Sequence, residues 1–225
     1  MDRLGKIGAS PLVKDIPYDA EVEYLEGDGI AYITLMSVHG LTWADNLFEC
    51  ECKVRAAPAG NTTTINMCES SERWYGLSLN YHGNYKTLVI ERYANVAAYK
   101  VRVFDGFSQP HIYYWTPSAG YIDGELYQNY SPTLSGSLIR DIYMFKNAYS
   151  GVISHAGDRV YWLRFFINNT LRFNLIPVRF TNENGQTEGA MYDKVTKQLF
   201  RNAGTGAFII GPDISSSQLS GGGGG

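Results

Sequence analysis

No segment of this 225-residue chain shows a convincing i, i+3, i+4 apolar pattern at helix length, and only Asp141 to Ala148 could make one short helical turn. An all-α or α/β fold is therefore excluded. No apolar run approaches the roughly 20 residues that a membrane-spanning helix needs, so membrane insertion is not expected. Met1 to Asp19 lacks the apolar h-region of a secretory signal, which leaves a chain not exported by that route, or a fragment or mature form. Charge of one sign is also missing. With 19 Lys and Arg against 22 Asp and Glu, the net charge is −3 and the pI is near 5.8. Nothing there builds a basic field for phosphates, so nucleic acid is not an expected partner.

Cysteine is scarce as well. Three cysteines, an odd number, cannot make a disulfide framework. Cys50 and Cys52 are two apart in a strand and so share a face, poorly placed to bond each other. They are expected as buried free thiols, with a Cys68 bridge to one of them as the alternative. That usage suits folding in a reducing compartment. His39, His82, His111 and His155 are too widely spaced for a zinc-ligand motif. No Gly-x-Ser-x-Gly elbow exists, and no solenoid or propeller period is visible. The sequons at Asn61, Asn129 and Asn168 read as chance matches without an export signal.

What the chain does have is aromatic weight: 17 Tyr, 10 Phe and 4 Trp make 14% of it, against 18% charged residues. That composition favours pleated, half-buried surfaces over disorder. Phe48 to Arg55 gives the cleanest alternation, with Phe48, Cys50, Cys52 and Val54 on one side and Glu49, Glu51, Lys53 and Arg55 on the other. Period two with one apolar face marks an antiparallel strand wet on one side. Further strands are read at 21–26, 30–35, 65–68, 74–80, 87–93, 99–104, 121–122, 126–127 and 139–145, with a looser stretch around Pro110 and Pro117. Arg159 to Asp213 reads as a meander of hairpins. Its turns fall at Asn168-Asn169, Asn182-Glu183-Asn184-Gly185, Asp193-Lys194 and Asn202-Ala203-Gly204-Thr205-Gly206, where residues tolerate positive φ or bond their own backbone. The expected architecture is all-β, an antiparallel two-sheet sandwich. Residues 1–19 are expected as an arm or linker, 20–213 as one domain, and 214–225 as a flexible Ser/Gly-rich tail.

The closing order Tyr-Trp-Leu-Arg-Phe-Phe-Ile, Leu-Arg-Phe-Asn-Leu-Ile-Pro-Val-Arg, Gly-Ala-Met-Tyr-Asp-Lys-Val-Thr-Lys-Gln-Leu-Phe and Asn-Ala-Gly-Thr-Gly-Ala-Phe resembles the last segment of concanavalin A-like (laminin-G-like) jelly-roll domains. Glu23 to Glu26 with Ala31 to Ile33 is similar to that family's opening strand pair. Tyr121 to Leu126 is similar to its Asp-Gly hairpin, and Ile142 to Phe145 to its short late strand. The resemblance implies a module of the kind found on phage virions (tail or fibre) or on bacterial surface proteins. Its implied partners are glycans or other surface polymers and neighbouring structural chains. No cofactor is expected. Calcium is the one alternative the resemblance implies, at the loop residues Asp105 and Asp123, although Asp-Gly is also a common hairpin turn.

The family also includes laminarinase-type hydrolases, whose strand motif Glu-x-Asp-x-x-Glu sets two carboxylates about 5 Å apart. Glu49 and Glu51 share a face, but Lys53 and Val54 stand where the second catalytic Glu would be. Glu21, Glu23 and Glu26 fit the spacing better, yet lie on what resembles the first strand. No catalytic residue is therefore assigned. Sugars stack their CH faces on aromatic rings and bond amides and carboxylates with their hydroxyls. The candidate ligand residues are Trp74, Tyr75, Asn80, Tyr81, Tyr114, Trp115, Gln128 and Asn129. Rival readings are a purely structural assembly module and a glycoside hydrolase on the same fold.

Overall fold

The computed structural model describes residues 16–37, 39–42, 45–55, 57, 61–70, 73–82, 85–92, 109–129, 141–146 and 157–214; for 61–70, 73–82, 85–92 and Gln128 it describes the backbone alone. Among the described residues every regular element is a strand and every strand pair is antiparallel. The alternation of Phe48–Arg55 becomes β4, built as its sequence dictates. Phe48, Cys50, Cys52 and Val54 are at most 2% exposed, and the charged residues between them face outward. Before it come β1 (Ala20–Glu21), β2 (Leu25–Glu26) and β3 (Ile33–Ser37). After it come β5 (Asn61–Ser70), β6 (Arg73–His82), β7 (Tyr85–Arg92), β8 (His111–Trp115), β9 (Ala119–Ile122) and β10 (Glu125–Asn129). The last are β11 (Asp141–Met144), β12 (Arg159–Ile167), β13 (Thr170–Thr181), β14 (Thr187–Asp193), β15 (Leu199–Phe200) and β16 (Ile209–Ile210).

The large sheet runs β10-β9-β8-β4-β12-β13-β14-β15, and the smaller one runs β3-β11-β5-β6-β7. Ile33, Leu35, Ile142 and Met144 of the small sheet join Phe48, Trp115, Leu163, Phe165 and Leu175 of the large one in a single apolar core. Full burial of each such side chain contributes about 1.5–3 kcal/mol, an upper figure because the unfolded chain already hides some surface. The expected turns hold the hairpins. Asn168 and Asn169 (φ 52° and 59°) join β12 to β13, and Asp123 and Gly124 (φ 51° and 81°) join β9 to β10, the paired positive φ values of a type I′ turn. The Asp193 carboxylate, fully buried, accepts from the amides of Asn174, Val195 and Thr196 and from the Thr196 hydroxyl, which fixes the reversal after β14.

Two expectations need correction. The looser stretch around Pro110 and Pro117 holds a regular strand, β8, paired with β4 on one side and β9 on the other; each proline lies just outside the strand, where its missing N–H costs no ladder bond. The strand read at 139–145 is present as β11, which pairs with β3 and β5, so Asp141 to Met144 makes no helical turn. Segment 21–26 is not one continuous strand. It crosses from β13, which pairs with β1, to β12, which pairs with β2, where those two long strands part. The expected strand 99–104 lies outside the described residues.

The segment assigned to the N-terminal arm also contributes packing. Tyr18 lies 4.9 Å from the ring of Tyr192 and covers a second small cluster of Val178, Phe180, Ala190 and Tyr192 on the outer face of the large sheet. At the other end of the domain, Ile214 donates its N–H to Glu21.

A polar latch closes the opening turn onto the last loop. Asp28 accepts from the amides of Ile30 (2.8 Å), Ala31 (2.7 Å) and Ala207 (2.6 Å). Asn202 accepts from the amides of Tyr32 and Gly204 and donates to the Gly206 carbonyl. The approach is close enough that a Cβ on Gly206 would stand 2.1 Å from the Asp28 carboxylate, and one on Gly204 would stand 2.2 Å from the Ile30 carbonyl. Burial opposes the Asp28 charge, but the three backbone donors outweigh it and hold its pKa below the ordinary aspartate value.

Candidate binding face

The outer face of the large sheet brings together rings and charges that the chain order keeps apart. On β12, Tyr161 and Trp162 together oppose the single residue Lys53 of β4, because the register shifts between Val160↔Val54 and Trp162↔Lys53. A bulge of this kind re-aims side chains. Both rings come to the wet side, whereas strict alternation would send one of them into the core. Tyr161 then packs against Tyr24 with ring centroids 5.6 Å apart and planes tilted by 58°, and the Lys53 ammonium lies 5.2 Å from its centroid. Burial, then the charge of Glu23, raises the Tyr161 pKa. The Arg159 guanidinium lies 4.1 Å from the Tyr24 ring and bonds Glu26, which also faces Arg55 at 3.9 Å.

Beside Trp162 a groove of about 260 Å³ opens where β12 and β13 part. Trp162 and Arg164 stand on β12, and Asn174 and Ile176 stand on β13. Glu21 and Lys194 also line it, and Val22, fully buried, lies beneath. Arg164 lies 5.2 Å from the Trp162 ring centroid and donates to Glu51 at 3.2 Å. Lys194 lies 3.5 Å from Glu21, which also accepts from the Tyr18 hydroxyl at 3.1 Å. Burial and that neighbouring carboxylate push the Tyr18 pKa up to about 12, so the phenol keeps its proton and remains a donor. A half-buried indole flanked by an amide and charge-paired side chains can hold the CH face of a sugar ring and bond its hydroxyls.

A larger hollow of about 430 Å³ lies beside the Asn202 latch. Phe208 is the one aromatic ring in its wall, and it is 7% exposed. It therefore offers no comparable stacking platform.

The residues picked from sequence divide sharply. Tyr114 belongs to the face. Its hydroxyl donates to Glu49 at 2.6 Å, and its ring stacks on Tyr121 at 5.7 Å. Burial and the Glu49 carboxylate raise its pKa well above the usual tyrosine range. Trp115 is the correction: at 1% exposure it points the other way, into the core, because adjacent strand residues alternate faces. No ligand can stack on that ring. Asn129 is exposed at the end of β10, four strand spacings or about 19 Å from β12. The backbones of Trp74, Tyr75, Asn80 and Tyr81 lie in β6 of the small sheet, but their side chains, like that of Gln128, lie outside the described residues.

Trp162, Tyr161, Tyr24 and Asn174 were absent from the sequence-based choice. One signal was available: the inward residues Val160 and Leu163 are three apart instead of two, which is the sequence mark of a bulge.

Four of the five carboxylates weighed for hydrolysis have cationic or hydroxyl partners: Glu21 with Lys194 and Tyr18, Glu26 with Arg159 and Arg55, Glu51 with Arg164, and Glu49 with Tyr114. For calcium, Asp123 directs its two oxygens at the Ile112 amide (2.9 Å) and the His111 ring (2.6 Å). Burial opposes its charge, and these donors overcome that to lower its pKa. Asp105 lies outside the described residues. Asn168, the first residue of one sequon, spends its side chain on the Leu47 amide and on Asn46.

No protein-family model matches the chain, and no curated protein matches it either.

Proposed function

We propose that this protein is a concanavalin A-like jelly roll serving as a non-catalytic module that binds a glycan or other surface polymer, carried on a phage virion or a bacterial surface protein beside other structural chains. Two antiparallel sheets around one core are compatible with the fold, and the closing segment's resemblance motivates the setting. One observation carries the binding reading: the β12 bulge that turns Tyr161 and Trp162 together onto a wet, grooved sheet face. The ion pairing of Glu21, Glu26 and Glu51 supports binding over hydrolysis, since a nucleophile and an acid need contrasting environments rather than fixed cationic partners.

The test is a glycan and polysaccharide array read with wild type and Trp162→Ala. Binding that falls at least tenfold in the variant, with an unchanged far-UV spectrum, is the expected result. Silence on every glycan would favour a purely structural module. Release of reducing ends by wild type, abolished in Glu21→Gln or Glu26→Gln, would make the protein a hydrolase.

A further inference from the structure

We infer that the groove beside Trp162 selects a neutral polysaccharide and rejects acidic ones, an inference that rests on the binding reading above. Each of the two cations that line the groove is paired with a carboxylate, Lys194 with Glu21 inside the lining and Arg164 with Glu51 just outside it. Lys194 is satisfied by Glu21 at 3.5 Å, and Arg164 by Glu51 at 3.2 Å. An acidic polymer would have to displace a resident carboxylate from each cation and would then face that carboxylate at close range, a like-charge penalty the site does nothing to relieve. A neutral sugar asks for no such exchange. Its hydroxyls can donate to Glu21 and accept from Asn174, Lys194 and Arg164 while both ion pairs stay intact. Trp162 supplies the stacking surface and Ile176 an apolar flank.

Binding should depend little on salt, because no counterions are exchanged for the ligand. Neutralising the carboxylates should create acidic-polymer binding, because it frees two cations in one groove.

Affinity electrophoresis tests this with mixed-linkage β-glucan and galactomannan as neutral probes and alginate and polygalacturonate as acidic ones. Each is run at about 20 and about 500 mM NaCl, against wild type, Asn174→Ala, and Glu21→Gln with Glu51→Gln together. Expected are retardation of wild type by at least one neutral polymer, a change of less than twofold with salt, and at least fivefold weakening in Asn174→Ala. The double carboxylate variant should gain at least tenfold in alginate affinity at low salt. Retardation of wild type by acidic polymers alone, or a tenfold loss of neutral-polymer binding in high salt, overturns the inference and leaves the binding reading intact. No retardation by any of the four probes overturns the neutral-chain inference; silence across the whole array as well removes the binding reading beneath it.

Discussion

On its inner side β4 presents Phe48, Cys50, Cys52 and Val54, held by packing against both sheets. On its outer side the same eight residues present Glu49, Glu51, Lys53 and Arg55, held by single partners a strand or two away. The inner side is held by many weak contacts that tolerate no gap, and the outer by a few directional ones that water can replace. Stability should therefore reside on one side and recognition on the other, and substitutions can set the two against each other.

The largest effect is expected inside. Phe165 is 1% exposed, with Phe48 and Phe173 at 6.2 and 6.5 Å between centroids. Phe165→Ala should cost about 3–5 kcal/mol in urea unfolding, the usual range for a large buried ring. A loss under about 1 kcal/mol would break the division between the faces.

Next comes the latch, which is polar like the outer face but bonded to backbone amides at close approach. Asp28→Ala should cost about 1–3 kcal/mol by leaving three amides without their acceptor. Gly206→Ala, which drives a methyl into that carboxylate, should cost about the same. The double variant should fall well short of their sum, because the two sites are in contact. The pH dependence has a definite sign. Because the folded pKa of Asp28 is lowered, its contribution is complete above the unfolded value near 3.8 and is lost as pH falls through the lower folded value. The gap between wild type and Asp28→Asn should close on acidification, and a gap that widens would refute the assigned sign.

Smaller again is the outer pair. Glu51→Gln should change stability by about 0.2–1 kcal/mol, since Arg164 is half exposed and the pair is screened. Its effect on polymer selectivity should be the larger one.

The smallest effect is a rate that stays near zero. Burial raises the pKa of Cys50 and Cys52, and both are free thiols within the core. A thiol reagent should leave them unmodified until the protein unfolds, so that at most one of the three cysteines reacts in the native state.

Much of the strand framework was legible because its signals are local. The turns at Asn168-Asn169 and Asp123-Gly124 are written in residues that accept positive φ, and the alternation of Phe48 to Arg55 states its own burial. Strand β8 was harder to see, since Pro110 and Pro117 bracket it and mimic a loop. Of the residues chosen as ligand contacts, Tyr114 lies on the outer face but outside the lining of the groove, and Trp115 is buried in the core. Sequence proximity placed both in one cluster, while the pleat sends neighbours to opposite faces. Trp162 was passed over because a bulge shows only as an interruption of period two, and its consequence depends on which residue lies across the ladder.

The sequence alone determined that this chain makes antiparallel strands with one dry and one wet side, because side-chain alternation and turn chemistry act over a few residues. Only the tertiary structure decided that Tyr161 and Trp162 face solvent together, that residues 20–26 cross where β12 and β13 part, and that Glu21 meets Lys194 and Glu51 meets Arg164. Those choices depend on register between strands more than a hundred residues apart, and a one-residue shift in that register exchanges what is buried for what is offered to a ligand.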